Sequence, residues 1–581
     1  MASAMSRVNE NTFSSPIATS TAREMPASDD FMTIRATRCP AFAEPKSMTS
    51  QLLIEEDEPA SREMLTIAVS EDAAAGDIGA ASAGPQDLKQ ATARGALAST
   101  GARVITLLLR TGSMMILARL LLPEEFGLVG MAAVVTGFLA WFKDAGLSMA
   151  TVQQASITRA QTSTLFWINF AVGGMLALLC TAIAPVLVAF YGEPRLLWLT
   201  VALGASFIFN GASAQHQAML QRNMRFVVLS IIEIISLSLS IVLGIGLAAA
   251  GWGYWALVAM AVSQPAVSLM GLWLAGGWIP GMPRQWAAVS SMIRFGGTVT
   301  LNNFIVYFAF NAEKMLLGRF WGAEALGIYG RAYQLINLPI ENLNSTIGWL
   351  VAFPTLSRVQ NDTSRLRLYF LKAYSLFLSL VIPITTACVL FAEDMILVFL
   401  GPRWHEAASV FRLLAPTIMA LALIHPLGWL LMASGRTGRS LKIALLIAPV
   451  VILGYLLGLS HGPKGVAAGY SASMALLVVP VVLWSIRGTS ITFRDILNAA
   501  VHPLLSTVVA AAAALAIRGV VDQLQQVLLR LGVDVAVLFG VYLIMLLFVM
   551  GQKSIYFGLL RNTGLWRAGN RRLEQQKGSP V

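Results

Sequence analysis

The sequence predicts an all-α polytopic membrane protein of about 14 transmembrane helices: two six-helix lobes related by a pseudo-two-fold axis along the membrane normal, plus two C-terminal helices. Three observations predict it. Of 581 residues, 56% are hydrophobic and 12% charged, whereas soluble domains carry roughly 25% charged residues. The apolar residues gather into segments of the length, about 20 residues, that crosses the hydrocarbon of a bilayer. Finally, LARLLLPEEFGLVGMA at 117–132 returns two hundred positions later as LGRFWGAEALGIYGRA at 317–332.

Residues 1–90 hold 14 acidic and 7 basic residues, are rich in Ala, Ser and Pro, and lack a sustained apolar period. That composition predicts a disordered acidic tail without the apolar stretch of a secretory signal. A start at Met25, Met48 or Met64 would shorten it. The remainder is basic, with 34 basic against 16 acidic residues. Its apolar segments lie near 97–122, 126–150, 164–190, 196–219, 226–250, 254–277, 293–319, 326–352, 367–391, 408–433, 441–460, 465–486, 498–518 and 527–551. The chain then divides into the tail 1–90, an N-terminal lobe 91–285, a C-terminal lobe 286–490, two additional spans in 491–555 and a basic tail 556–581. Lys and Arg in short loops favour the cytoplasmic side. Loops after even spans hold 14 of them and loops after odd spans seven, so both termini are expected in the cytoplasm.

The repeat matches at six places: Leu117 with Leu317, Arg119 with Arg319, Glu124 with Glu324, Gly127 with Gly327, Gly130 with Gly330 and Ala132 with Ala332. Six spans separate the copies. An even number restores the orientation, the parallel-repeat arrangement of some transporters. Within it, Gly127 and Gly327 read as tight turns between spans. Glu124 and Glu324 read as carboxylates that start the next helix, and Arg119 and Arg319 as anchors that snorkel to the interface.

Charge inside a span costs about 2.5–3.5 kcal/mol per residue on insertion scales, so its placement carries functional information. In span 1, Ser99, Arg103, Thr106, Arg110 and Ser113 recur on one helical face. Span 7 carries Thr300, Asn303, Tyr307, Asn311 and Lys314, with Glu313 beside them. Span 8 carries Arg331, Gln334, Asn337, Glu341 and Asn344 on one stripe, and span 2 adds Lys143 and Asp144. Helices 1, 2, 7 and 8 are therefore expected to line a central cavity. Arg103, Arg110 and Lys314 suit phosphate oxygens, whereas Asn303, Gln334 and Asn337 suit sugar hydroxyls. Glu341 leads as an ion-coupling carboxylate. Glu313 serves either coupling or the neutralisation of Lys314 or Arg110. Glu233, on a Ser-rich face, reads as a helix contact, and His425 before Pro426 as the mark of a kink. Cys39, Cys180 and Cys388 have no paired spacing, so no disulfide, metal or cofactor is expected, and no Walker A sequence provides for ATP.

The runs ILARLLLPEEFGLVGMA, DAGLSMATVQQ and FNAEKMLLGRFWGAEALGIYGRAYQL resemble the polysaccharide transporter family of lipid-linked oligosaccharide flippases, the Wzx and ExoT type. That family sits within the superfamily of multidrug, oligosaccharidyl-lipid and polysaccharide exporters. The resemblance covers about 100–490 and implies translocation of an undecaprenyl-diphosphate-linked exopolysaccharide, O-antigen or capsule repeat unit across the bacterial inner membrane by alternating access. It implies no enzymatic reaction. Its expected partners are the lipid-linked oligosaccharide, membrane lipids, a polysaccharide polymerase and a chain-length regulator, with no nucleic acid. A drug/cation antiporter of the same superfamily is the near alternative, but it would be expected to place carboxylates rather than Arg in its cavity. A membrane polysaccharide polymerase or ligase is the distant one, and it would want a long soluble loop or a DxD motif, neither of which this sequence has.

Overall fold

The computed structural model describes residues 85–143, 148, 151–152, 157–283, 307 and 311–553, with side chains from residue 101 onward. Among these residues every element is helical. Asn303, Asp144, Cys39 and the greater part of both predicted tails lie outside them. Helix α1 (Pro85–Leu120) begins inside the stretch read as tail. It is followed by α2 (Pro123–Ala140), α3 (Arg159–Tyr191), α4 (Leu196–Arg222), α5 (Phe226–Ala249) and α6 (Tyr254–Gly276), the first six predicted spans.

The seventh and eighth predicted spans meet in α7 (Ala312–Leu343), one rod broken at Gly322, whose φ of +79° is open to glycine alone at little cost. The rod continues through wide π-helical turns at Asn344–Ala352 into α8 (Phe353–Arg358). Next come α9 (Thr363–Leu390), the short α10 (Ala392–Phe399), α11 (His405–Ala433), α12 (Thr437–Gly458) and α13 (Gly462–Ile486). The chain then adds α14 (Phe493–Val521) and α15 (Val527–Ile544). Eleven described segments are long and apolar enough to cross a membrane, and one of them, Thr437–Ile486, contains both α12 and α13. They account for twelve of the predicted spans. The more polar α7, with the π-helical turns that follow it, holds most of the described parts of the other two.

Side-chain caps fix several starts. Thr158 and Gln161 form a reciprocal capping box at α3, Thr492 and Asp495 do so at α14, and Asp362 accepts from the amides of Ser364 and Arg365 at α9. Each satisfies backbone donors that a helix leaves open. Prolines inside α3, α6, α9, α11, α12, α13 and α14 are tolerated because neighbouring helices and Ser/Thr groups re-satisfy freed backbone.

Packing repeats as the sequence does. In the first bundle α3 packs on α4, α4 on α6, α5 on α6 and α1 on α5. In the second, α9 packs on α11, α11 on α13, α12 on α13 and the start of α7 on α12. The principal contact between the two sets joins α2 to the second half of α7. Helices α14 and α15 pack on α9. Arg367 meets Asp495 at 2.7 Å at one end of that contact, and the Tyr542 hydroxyl donates to Ser379 O at 2.6 Å midway. At the other end buried Asp394 takes both Arg530 and Arg518.

Candidate functional site

The two copies of the repeat clasp each other. A Cβ on Gly127 would stand 1.7 Å from Ala323 O, and a Cβ on Gly327 would stand 1.9 Å from Pro123 O. Positions 123 and 323 are equivalent, as are 127 and 327, so each glycine rests on the partner copy of the residue four positions before it. This is the self-complementary contact of a two-fold axis. Neighbouring positions obey the same rule. Trp404 Nε1 donates to Ala118 O at 2.7 Å, while Tyr191 packs on Gly318, the equivalent of Ala118. The reading of Gly127 and Gly327 as turns is therefore corrected: both are helical, and the breaks fall at Leu121 and Leu122 in the first copy and at Gly322 in the second.

Arg119 and Arg319 are both exposed, each close to a helix end or break. Arg119 donates to Val398 O at 2.9 Å in the opposite bundle, and Arg319 lies 6.0 Å above the ring of Phe190. Glu124 pairs with Arg195 at 2.6 Å. Both Glu124 and Glu125 stand in the first turn of α2, and Glu125 also caps it, accepting from Leu122 N at 2.7 Å. Glu324 is exposed, without an ion pair among the described residues.

Beside the clasp, α2 and α7 present a polar face. Arg331 stacks 4.3 Å above the Phe126 ring and donates to Gln334 Oε1. It has no carboxylate partner among the described residues. Further along the stripe, Asn337 donates to Glu341 Oε1 at 2.5 Å, and Trp429 Nε1 donates to Asn344 Oδ1 at 3.0 Å. The Tyr307 hydroxyl donates to Val134 O at 2.9 Å, tying span 7 to α2. Arg110 is exposed, and its guanidinium makes no hydrogen bond or ion pair to described residues.

Glu313 and Lys314 part company. Lys314 Nζ donates to Asn311 Oδ1 at 2.7 Å, whereas Glu313 is 2% exposed and its Oε2 has no partner. The carboxyl lies within electrostatic reach of Tyr329, Tyr333, Tyr455 and Tyr470. The Tyr329 hydroxyl is also buried without a partner. No ion pair joins Glu313 to Lys314 or Arg110, although Lys314 lies within electrostatic reach of the carboxyl.

A cavity of about 510 Å³ opens within the first bundle, between α1, α4, α5 and α6. Arg103 reaches it from α1 and Glu233 from α5; Asn210, Gln217 and Gln221 line it from α4 and Gln264 from α6. The reading of Glu233 as a helix contact is thereby corrected, because its carboxylate is exposed to the cavity. Arg103 and Arg110, seven residues apart on one stripe, do not share this site: Arg110 is not part of its lining. The amides on α4 and α6 escaped an inventory built on charge, although their spacing of four to seven residues along α4 was available in the sequence.

Comparison with known proteins joins this geometry to a lineage. A profile described as polysaccharide biosynthesis protein matches residues 116–409, which include both halves of the clasp. The lipopolysaccharide biosynthesis protein WzxC of Escherichia coli (strain K12) is 26% identical over 393 residues, 66% of this chain and 78% of that one. The succinoglycan biosynthesis transport protein ExoT of Rhizobium meliloti (strain 1021) is 28% identical over 300 residues, 52% of this chain and 60% of that one. Among solved structures, the lipid II flippase MurJ in an inward closed conformation superposes with a TM-score of 0.62 over 81% of this chain and 99% of that chain. At 14% identity this is a likeness of fold. With a match that begins at the first copy of the repeat and extends past the second over half the chain, this multi-pass membrane protein belongs to the polysaccharide biosynthesis protein family.

Proposed function

We propose that the chain translocates an undecaprenyl-diphosphate-linked oligosaccharide across the bacterial inner membrane by alternating access of its two bundles. The observation that carries this reading is the reciprocal clasp at one end of the bundles, flanked by a polar face whose cation, Arg331, lacks a carboxylate. Relatives named for lipopolysaccharide biosynthesis and succinoglycan transport support it. The bias of Lys and Arg in the loops supports a clasp on the extracytoplasmic side with both termini in the cytoplasm.

In this reading Arg331, with Arg110 and Lys314, receives the diphosphate, since charge-assisted hydrogen bonds to phosphate are about twice as strong as neutral ones. Gln334 and Asn337 meet sugar hydroxyls, and the lipid tail stays in the bilayer. No bond is made or broken. Glu313, buried without an ion pair beside four tyrosines, is the leading coupling group and Glu341 the second. A polymerase and a chain-length regulator take the product on the far side.

The test is a deletion strain complemented with wild type or with Arg331→Ala. The deletion is expected to accumulate undecaprenyl-linked oligosaccharide in the cytoplasmic leaflet, with wild type clearing it and the variant failing at equal protein level. Unchanged export in the deletion strain overturns the reading.

A further inference from the structure

Inside the first bundle lies a second polar site, apart from the clasp and from the face of α7. Every residue lining the 510 Å³ cavity belongs to α1, α4, α5 or α6, and its size falls within the roughly 300–1,000 Å³ of small-molecule sites. We propose that this cavity is the glycan-reading pocket, holding one neutral sugar ring of the transported oligosaccharide while the charged carrier end rests on the inter-bundle face. The assignment rests on the transport reading above and adds where sugar identity is sensed.

The chemistry points to a neutral polyol. Arg103 and Glu233 face the same space with opposite charges yet form no ion pair with each other. Neither they nor Gln217, Gln221 and Gln264 make a side-chain hydrogen bond to any described residue. A guanidinium only donates, a carboxylate only accepts, and a primary amide does both. Together they match a ligand whose hydroxyls donate and accept around its rim, and the balanced charge favours neither a net anion nor a net cation. Arg103, Gln217 and Glu233 are exposed within the open cavity, so a ligand that displaces water from them must replace the hydrogen bonds it removes.

The backbone contributes as well. Pro265 lines the cavity from within α6 and has no N–H. Ala261, four residues earlier and also in the lining, therefore lacks the helical donor for its carbonyl. Phe226, Leu229 and Leu272 supply apolar surface beside these groups, where the C–H face of a pyranose rests.

The experiment has two arms on the full chain. In nanodiscs, ligand-observed NMR with free glucose, galactose and N-acetylglucosamine as probes is expected to show saturable binding of at least one, weakened about tenfold or more in Glu233→Gln, the loss of a charge-assisted hydrogen bond, and about threefold or more in Gln264→Ala, the loss of a neutral one. Glucuronate and choline, the anionic and cationic controls, are expected to bind weakly. In cells, the same variants are expected to slow export of the native repeat unit while exporting a repeat unit truncated by one sugar as well as wild type does. Variants that bind sugars and rank repeat units as wild type does overturn the pocket while leaving transport standing. Sodium binding at Glu233 in place of any sugar also overturns it. Failure of the wild-type gene to restore export in the deletion strain overturns the transport reading itself.

Discussion

At the scale of single residues, the clasp makes a contrast within one motif. Gly127 and Gly327 have no room for a methyl group, whereas Gly130 has its nearest neighbour at 3.5 Å and Gly330 has nothing within 4 Å. Gly127→Ala and Gly327→Ala are therefore expected to lower the melting temperature of the purified protein, at a cost of about 1–3 kcal/mol for overpacking. Gly130→Ala and Gly330→Ala should be neutral or gain up to about 1 kcal/mol of helix propensity. Equal melting curves for all four would refute the reciprocal contact. The sequence shows these four glycines as equals, because a repeat reveals which positions correspond and not which of them touch. The same limit governs Arg103 and Arg110. Their seven-residue spacing places them on one stripe, but a stripe about 10 Å long runs past more than one neighbour, and here Arg103 enters the cavity of the first bundle while Arg110 does not. Glu233 reads as a helix contact in the sequence for a related reason: a cavity wall is recognisable on one helix only when the other three walls are known.

At the scale of elements, periodicity and length gave twelve of the predicted spans as helices within a few residues for most, since each needs only an apolar run to be seen. The break at Gly322 and the junction of α14 and α15 with α9 depend on tertiary contact and were not legible. That junction rests on unequal rivets. Asp394 is 1% exposed and bridges Arg518 and Arg530, whereas the Arg367–Asp495 pair is partly open to solvent. Breaking a buried pair by removing one partner costs about 3–5 kcal/mol; an exposed pair contributes about 0–1 kcal/mol. Asp394→Ala is thus expected to expose the connection between α14 and α15 to protease and to lower the melting temperature by several degrees, while Asp495→Ala moves it little. A larger effect from Asp495→Ala would show that α14 and α15 are held chiefly at the other end.

At the scale of the whole molecule, the clasp makes opening a two-state event. The two bundles meet through backbone at Gly127 and Gly327, with Trp404, Tyr191, Arg119 and Arg319 crossing reciprocally around them. A two-fold contact of this kind separates at both copies or at neither, so a bulky residue at one glycine should bias the entire bundle pair toward the unclasped form. Leu326, 2% exposed and 3.5 Å from where a Cβ on Gly130 would lie, reports on that interface. In a background with Cys39, Cys180 and Cys388 replaced by Ser, Leu326→Cys is expected to resist a membrane-impermeant maleimide applied from the extracytoplasmic side. Adding Gly127→Leu should raise its labelling rate about tenfold or more, which corresponds to a shift of about 1.4 kcal/mol in the equilibrium. Adding Gly327→Leu instead should do the same to a similar degree, because the two positions are equivalent about the axis. If only one of the two variants opens the interface, the bundles move as unequal partners and the pseudo-symmetry of the clasp does not extend to its motion.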